Sequence, residues 1–125
     1  MSTCLIDTNV LFKIFAGNAN VRRFVESSDS AIDVTVYIEC LQGSKSNAEK
    51  RIIAKYLDNF PFLPITPEIS KRAIDLINIY SNSFGLLLPD ALIASTALEN
   101  GLIVVTYNIK DFSFIDGLEI RTPSE

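Results

Sequence analysis

Histidine is absent from this chain of 125 residues, and so is tryptophan. Without histidine there is no Ser-His-Asp or Cys-His pair, and no imidazole general base. Cysteine is scarce: Cys4 and Cys40 are the only two. They form no C-x-x-C motif, and they are too few for a disulfide framework or a His/Cys zinc site. Both read as small buried thiols. No apolar run approaches the roughly 20 residues that span a bilayer, and Pro89 and Asp90 break the long one after Phe84. The first twelve residues lack the basic start and small-residue cleavage site of a signal peptide. The expectation is a cytoplasmic protein with no membrane attachment. Any chemistry falls to carboxylates, hydroxyls and a hard metal ion.

Hydrophobic residues make up 48% of the chain, which excludes disorder. The length suits one domain, residues 1–125, burying about two-thirds of its unfolded surface. The net charge of −4 is unevenly spread. Residues 1–60 hold seven acids and seven bases, whereas residues 61–125 hold eight acids and four bases. An acidic balance is unusual for a nucleic-acid binder, but distribution matters more than the sum. If four acids are set aside as a cluster, the remaining 11 match the 11 bases.

Strand and helix patterns alternate. Thr3–Ile6 reads as a buried strand and Val10–Phe15 as a short apolar helix stopped at Gly17-Asn18. Asn20–Glu26 suits a second helix and Ala31–Val34 a second strand. Thr35 can cap a helix that runs to Gly43. Ser46-Asn47-Ala48-Glu49 has the form of a capping box for a helix reaching about Asn59. Phe62–Ile65 is a short third strand, and Thr66-Pro67 starts another helix. Asn82–Leu88 reads as a loop, Pro89–Glu99 as a buried helix, Leu102–Val105 as a strand and Leu118–Ile120 as an edge strand. This alternation predicts an α/β fold: three α/β/α layers around a short, mostly parallel central sheet.

Four acids stand in apolar surroundings where a strand ends or a helix begins: Asp7, Glu39, Asp90 and Asp111. Each has a plainer explanation. Asp7 can cap a helix, Glu39 can sit in a buried ion pair, Asp90 can complement a helix dipole, and Asp111 can make a turn. Together they place one carboxylate after each of several parallel elements. Hard divalent cations take oxygen ligands, and phosphodiester hydrolysis uses one or two such ions.

Ile6-Asp7-Thr8-Asn9-Val10-Leu11, Glu39-Cys40-Leu41-Gln42-Gly43, Leu88-Pro89-Asp90-Ala91-Leu92-Ile93-Ala94 and Val105-Thr106-Tyr107-Asn108-Ile109-Lys110-Asp111-Phe112 occur in that order. Ile115-Asp116-Gly117-Leu118 follows. In order and spacing these motifs resemble the PIN-domain family, and within it the toxins of VapBC-type toxin–antitoxin pairs. The resemblance covers nearly the whole chain. Ser95 departs from it mildly, standing where a small alanine is common. The resemblance implies a PIN-like fold and an endoribonuclease dependent on Mg²⁺ or Mn²⁺, acting on RNA, dimeric and restrained by a cognate antitoxin. Asp7, Glu39 and Asp90 map onto the family's metal-binding acids. The fourth acid is Asp111 or, in other members, an acid at the position of Asn108. Thr8, Asn9, Thr106 and Asn108 fall where they would orient the acids or water. Two rivals stay open: a haloacid-dehalogenase-like phosphatase with Asp7 as nucleophile, and a non-catalytic PIN-like binding module. The phosphatase pattern repeats its aspartate two residues on, where this chain has Asn9.

Two surface expectations complete the reading. The apolar crowd Val10, Leu11, Phe12, Ile14 and Phe15 exceeds what one short helix buries on one side, which marks a dimer or partner interface. Basic residues cluster at Lys13, Arg22 and Arg23, and at Lys45, Lys50, Arg51 and Lys55, and part of this set is a candidate for steering phosphates towards the acids.

Overall fold

The computed structural model describes residues 2–124. Five short strands carry the sheet: β1 (Cys4–Ile6), β2 (Ser30–Asp33), β3 (Phe62–Leu63), β4 (Ile103–Val105) and β5 (Ile120–Arg121). Six helices connect them: α1 (Thr8–Phe15), α2 (Ala19–Ser27), α3 (Val34–Gln42), α4 (Asn47–Leu57), α5 (Pro67–Phe84) and α6 (Leu88–Asn100). A single 3₁₀ turn at Ile109–Asp111 follows β4.

The spatial order is β3-β2-β1-β4-β5 and every pairing is parallel. β1 therefore lies in the middle, buried on both faces, which is why it reads as an unbroken apolar run. Its register sets Leu5 beside Ala31 on one side and Val104 on the other. The chain winds outward from β1 through β2 to β3, then returns to β4. Right-handed crossovers place α1 to α4 on one face and α5 and α6 on the other. α1 packs against both α2 and α3, α3 against α4, and α5 lies along α6. The strand order reverses between β1 and β4. A parallel sheet opens a crevice at the carboxyl ends of its strands at such a switch point.

Local chemistry accounts for most helix starts. Ser46 and Thr66 accept hydrogen bonds from the Glu49 and Ile69 N–H groups, each at 3.1 Å, so both expected caps form. α5 and α6 both end on glycines in the left-handed region, Gly85 and Gly101, where any side chain would be strained. Cys4 and Cys40 are buried free thiols, and burial pushes the Cys40 thiol up to about 12.

Three expectations change. Asp33, not Thr35, caps α3: its Oδ1 accepts the Val36 N–H at 2.9 Å. Aspartate is the stronger cap, and it stands where β2 ends, so the helix follows the strand without a loop. The segment expected as a loop from Asn82 is still helical as far as Phe84, and only Gly85–Leu87 lies outside both helices. α1 buries more of its apolar surface than a one-sided helix would. Val10, Leu11 and Ile14 are in the core because α1 is covered by α2 and α3 as well as the sheet, leaving Phe12 and Phe15 at the surface.

Candidate active site

Asp7 stands at the switch point, directly after β1. It is 5% exposed and both of its oxygens are engaged. The Thr8 N–H donates to Oδ1 at 2.8 Å, making Asp7 the cap of α1. On Oδ2 it receives the Thr106 hydroxyl at 2.7 Å and the Asn9 amide at 3.1 Å. Thr106 follows β4, so the side chains at the ends of two adjacent strands are tied across the crevice. Asn9 also donates to the Thr106 hydroxyl at 3.2 Å and accepts the Tyr107 N–H at 3.1 Å. The Asn108 N–H donates to the same hydroxyl at 3.0 Å. Asn108 thus acts through its backbone, and its side chain caps nothing. Thr8 serves a different acid: its hydroxyl donates to Glu39 Oε1 at 2.7 Å.

Glu39 comes from the second turn of α3, Asp90 from the first turn of α6, and Asp111 from the turn after β4. The four acids feel one another electrostatically. Burial raises Asp7 above the ordinary 3.8, the Thr106 and Thr8 hydrogen bonds oppose this, and the charges of Glu39 and Asp111 add to it. Asp90 is pushed up to about 7, chiefly by burial and then by the charges of Asp7, Asp111 and Glu39. Among the described residues the ion pairs are Arg22–Glu26 and Arg72–Glu99, and neither touches the four.

A fifth carboxylate joins them that the opening reading left out. Asp33 ends β2 as Asp7 ends β1, and it is fully buried. Its Oδ2 has no hydrogen-bond partner. Burial drives it up to about 6, the Val36 N–H bond pulls it back, and the charges of Asp7 and Glu39 push it further. The signal was in the sequence: Ala31-Ile32-Asp33 repeats the apolar-run-into-aspartate pattern of Leu5-Ile6-Asp7.

The donor chemistry fits a hard divalent cation. The candidate ligands are all carboxylate oxygens, they repel one another, and no lysine or arginine neutralises them. Among the described residues, no three of these acids stand close enough together to grip one ion as the side chains lie. Asp7 is fixed by its hydrogen bonds, whereas Asp111 is exposed and Glu39 and Asp90 are half-buried.

Arg22 does not face this crevice. Arg22 pairs with Glu26 and lies over the Tyr56 ring, in a cleft shared with Ser2, Asp29 and Ser30 at the opposite ends of β1 and β2. Lys13 is nearer the acids, its ammonium 5.6 Å from the centre of the Tyr107 ring.

The family model for the PIN domain matches residues 4–118. Ribonuclease VapC1 of Rickettsia felis is 30% identical, the match covering 96% of this chain and 96% of that protein. Ribonuclease VapC10 of Mycobacterium tuberculosis is 31% identical over 92% of this chain and 90% of that one. A solved toxin–antitoxin complex from Klebsiella pneumoniae contains a chain of 30% identity that superposes with a TM-score of 0.81, over 98% of this chain and 99% of the other.

Proposed function

Since the chain belongs to the PIN-domain family, alongside ribonucleases of the VapC type, we propose that the crevice at the end of β1 is its catalytic centre. The protein is a ribonuclease and the toxin of a VapBC-type pair. Neither the phosphatase nor the non-catalytic reading is favoured beside that match. Asp7, Glu39, Asp90 and Asp111 would hold Mg²⁺ or Mn²⁺. The chemistry such an ion supplies is activation of water and stabilisation of the leaving oxygen of an RNA phosphodiester.

The chain's own residues orient and isolate. Thr106 and Asn9 hold Asp7 in one rotamer, and Thr8 aims Glu39. Asp90 must give up its proton before it can act as a ligand, and a cation favours that loss. What supports the assignment is Asp7, held by Thr8, Asn9 and Thr106 at the end of β1, with the charges of Glu39 and Asp111 acting on both it and Asp90. Asp7→Asn and Asp90→Asn should each abolish cleavage of single-stranded RNA in Mn²⁺ while leaving the circular dichroism spectrum unchanged. Full activity in either would refute the site.

An antitoxin would cover Phe12, Phe15 and the 71% exposed Ile52 on α1 and α4 and insert an arginine among the uncompensated acids. A homodimer would use the separate apolar face of Ile38, Ile65, Leu87 and Leu88 beside α6. No helix among the described residues is long and apolar enough to cross a membrane, and the proposed place of action is the cytoplasm, where RNA is met.

A further inference from the structure

Three aromatic rings gather at the end of α5, and their arrangement differs from every other ring pair in the molecule. Phe84 and Phe114 lie face to face, centroids 4.6 Å apart and planes 6° from parallel. Tyr80 leans on both, at 6.0 Å from Phe84 and 5.3 Å from Phe114. The pairs Phe15–Tyr56, Tyr37–Phe62 and Tyr56–Phe60 instead meet edge-on at 73–87°; both arrangements are favourable for ring pairs. The rear of the group is anchored: the Tyr80 hydroxyl accepts the Asp116 N–H at 3.0 Å and Phe114 is half-buried. The front is open: Phe84 is 57% exposed.

Along the chain both arms adjoin acids of the candidate site. Phe84 ends α5, and after Gly85 and the buried Leu86 the chain enters the first turn of α6, where Asp90 sits. Phe114 is three residues beyond Asp111, so their Cα atoms are at most ~11 Å apart. Lys110, exposed beside Asp111, adds a positive charge on the same side. A preorganised aromatic face within a nucleotide or two of phosphodiester chemistry is what an unpaired base requires. Stacking on such a face is indifferent to which base it is, and it is closed to a base still paired inside a duplex.

We propose that Phe84, backed by Phe114 and Tyr80, is a stacking platform for an unpaired RNA base flanking the scissile phosphate; this rests on the ribonuclease reading above. Phe84 is then a positioning residue: it selects single-stranded or looped RNA and sets the neighbouring phosphate over the acids.

The test uses a short single-stranded RNA carrying 2-aminopurine, whose fluorescence is quenched on stacking, with the full chain in EDTA so that nothing is cut. Wild-type and Phe84→Tyr protein should bind it with similar affinity and quenching. Phe84→Leu and Phe84→Ala should raise Kd about 5- to 100-fold and lose the quenching, with a melting temperature lowered by no more than a few degrees, since the ring is 57% exposed. In Mn²⁺ the same two variants should raise KM more than they lower kcat. Wild-type affinity and quenching in Phe84→Leu would overturn the platform, as would a defect confined to binding a protein partner. Failure of the wild type to cut any RNA in Mn²⁺ would instead overturn the ribonuclease reading, so the two failures are distinct.

Discussion

Asp33→Asn is a substitution that should make this protein more stable, and only above a certain pH. In the native fold Asp33 is fully buried, caps α3 through Oδ1 and leaves Oδ2 without a hydrogen bond. Its proton is lost near pH 6 rather than 3.8, chiefly because burial penalises the charge. An acid whose pKa is higher folded than unfolded costs stability as it ionises. The cost begins above the unfolded value, grows as pH rises from about 4 to about 6, and is complete beyond that. The gap between 3.8 and about 6 corresponds to roughly 3 kcal/mol at most. Asparagine caps a helix about as well as aspartate, so the substitution keeps the Val36 bond and removes the charge. Its new amide donors need an acceptor, which offsets part of the gain. A net 1–3 kcal/mol is about 4–10 °C in melting temperature for a domain of this size. Thermal melts of wild type and variant, followed by circular dichroism from pH 4 to 8 in EDTA, measure it. The two curves should coincide near pH 4 and separate by pH 7. A difference that stays constant with pH would refute the reasoning.

The other outcomes are simpler. Mn²⁺ affinity, measured by calorimetry, should rise steeply as pH passes through 7, since the ion competes with the proton on Asp90. Ser95 is fully buried and donates its hydroxyl to the Ile69 carbonyl at 2.6 Å. Ser95→Ala should therefore loosen α6 from α5 and lower stability by about 1 kcal/mol, read as a drop of about 4 °C in the melt. Antitoxin inhibition should weaken as Mn²⁺ is raised and when the antitoxin's arginines become alanine; indifference to both would place inhibition away from the acids. Charge reversal of Arg22 and Arg23 should leave cleavage rates unchanged, because Arg22 lies at the far end of the strands.

The pieces of the proposed crevice were readable because each is local. An apolar strand running into Asp7 marks a strand's carboxyl end, and Pro89-Asp90 announces a helix start. Where two local signals competed, geometry decided. Thr35 and Asp33 were both acceptable caps, and only the exit direction of β2 selected Asp33. The burial of Ile14 depends on α2 and α3 closing over α1, which no single-helix pattern records. The stacking of Phe84 on Phe114 joins residues far apart in the chain, and periodicity does not report such pairs. β3 and β5 are two residues each, too short for alternation to set their ends.

The central position of β1 also governs when the site comes into being during synthesis. The Thr106 hydroxyl that grips Asp7 lies 99 residues further along the chain. At ~5–20 residues per second, roughly 5–20 s separate the making of the two. Until β4 is made, the first strand lacks its second neighbour and Asp7 lacks its clamp. A ribosome translating this message thus carries a chain without a complete crevice until β4 has been made.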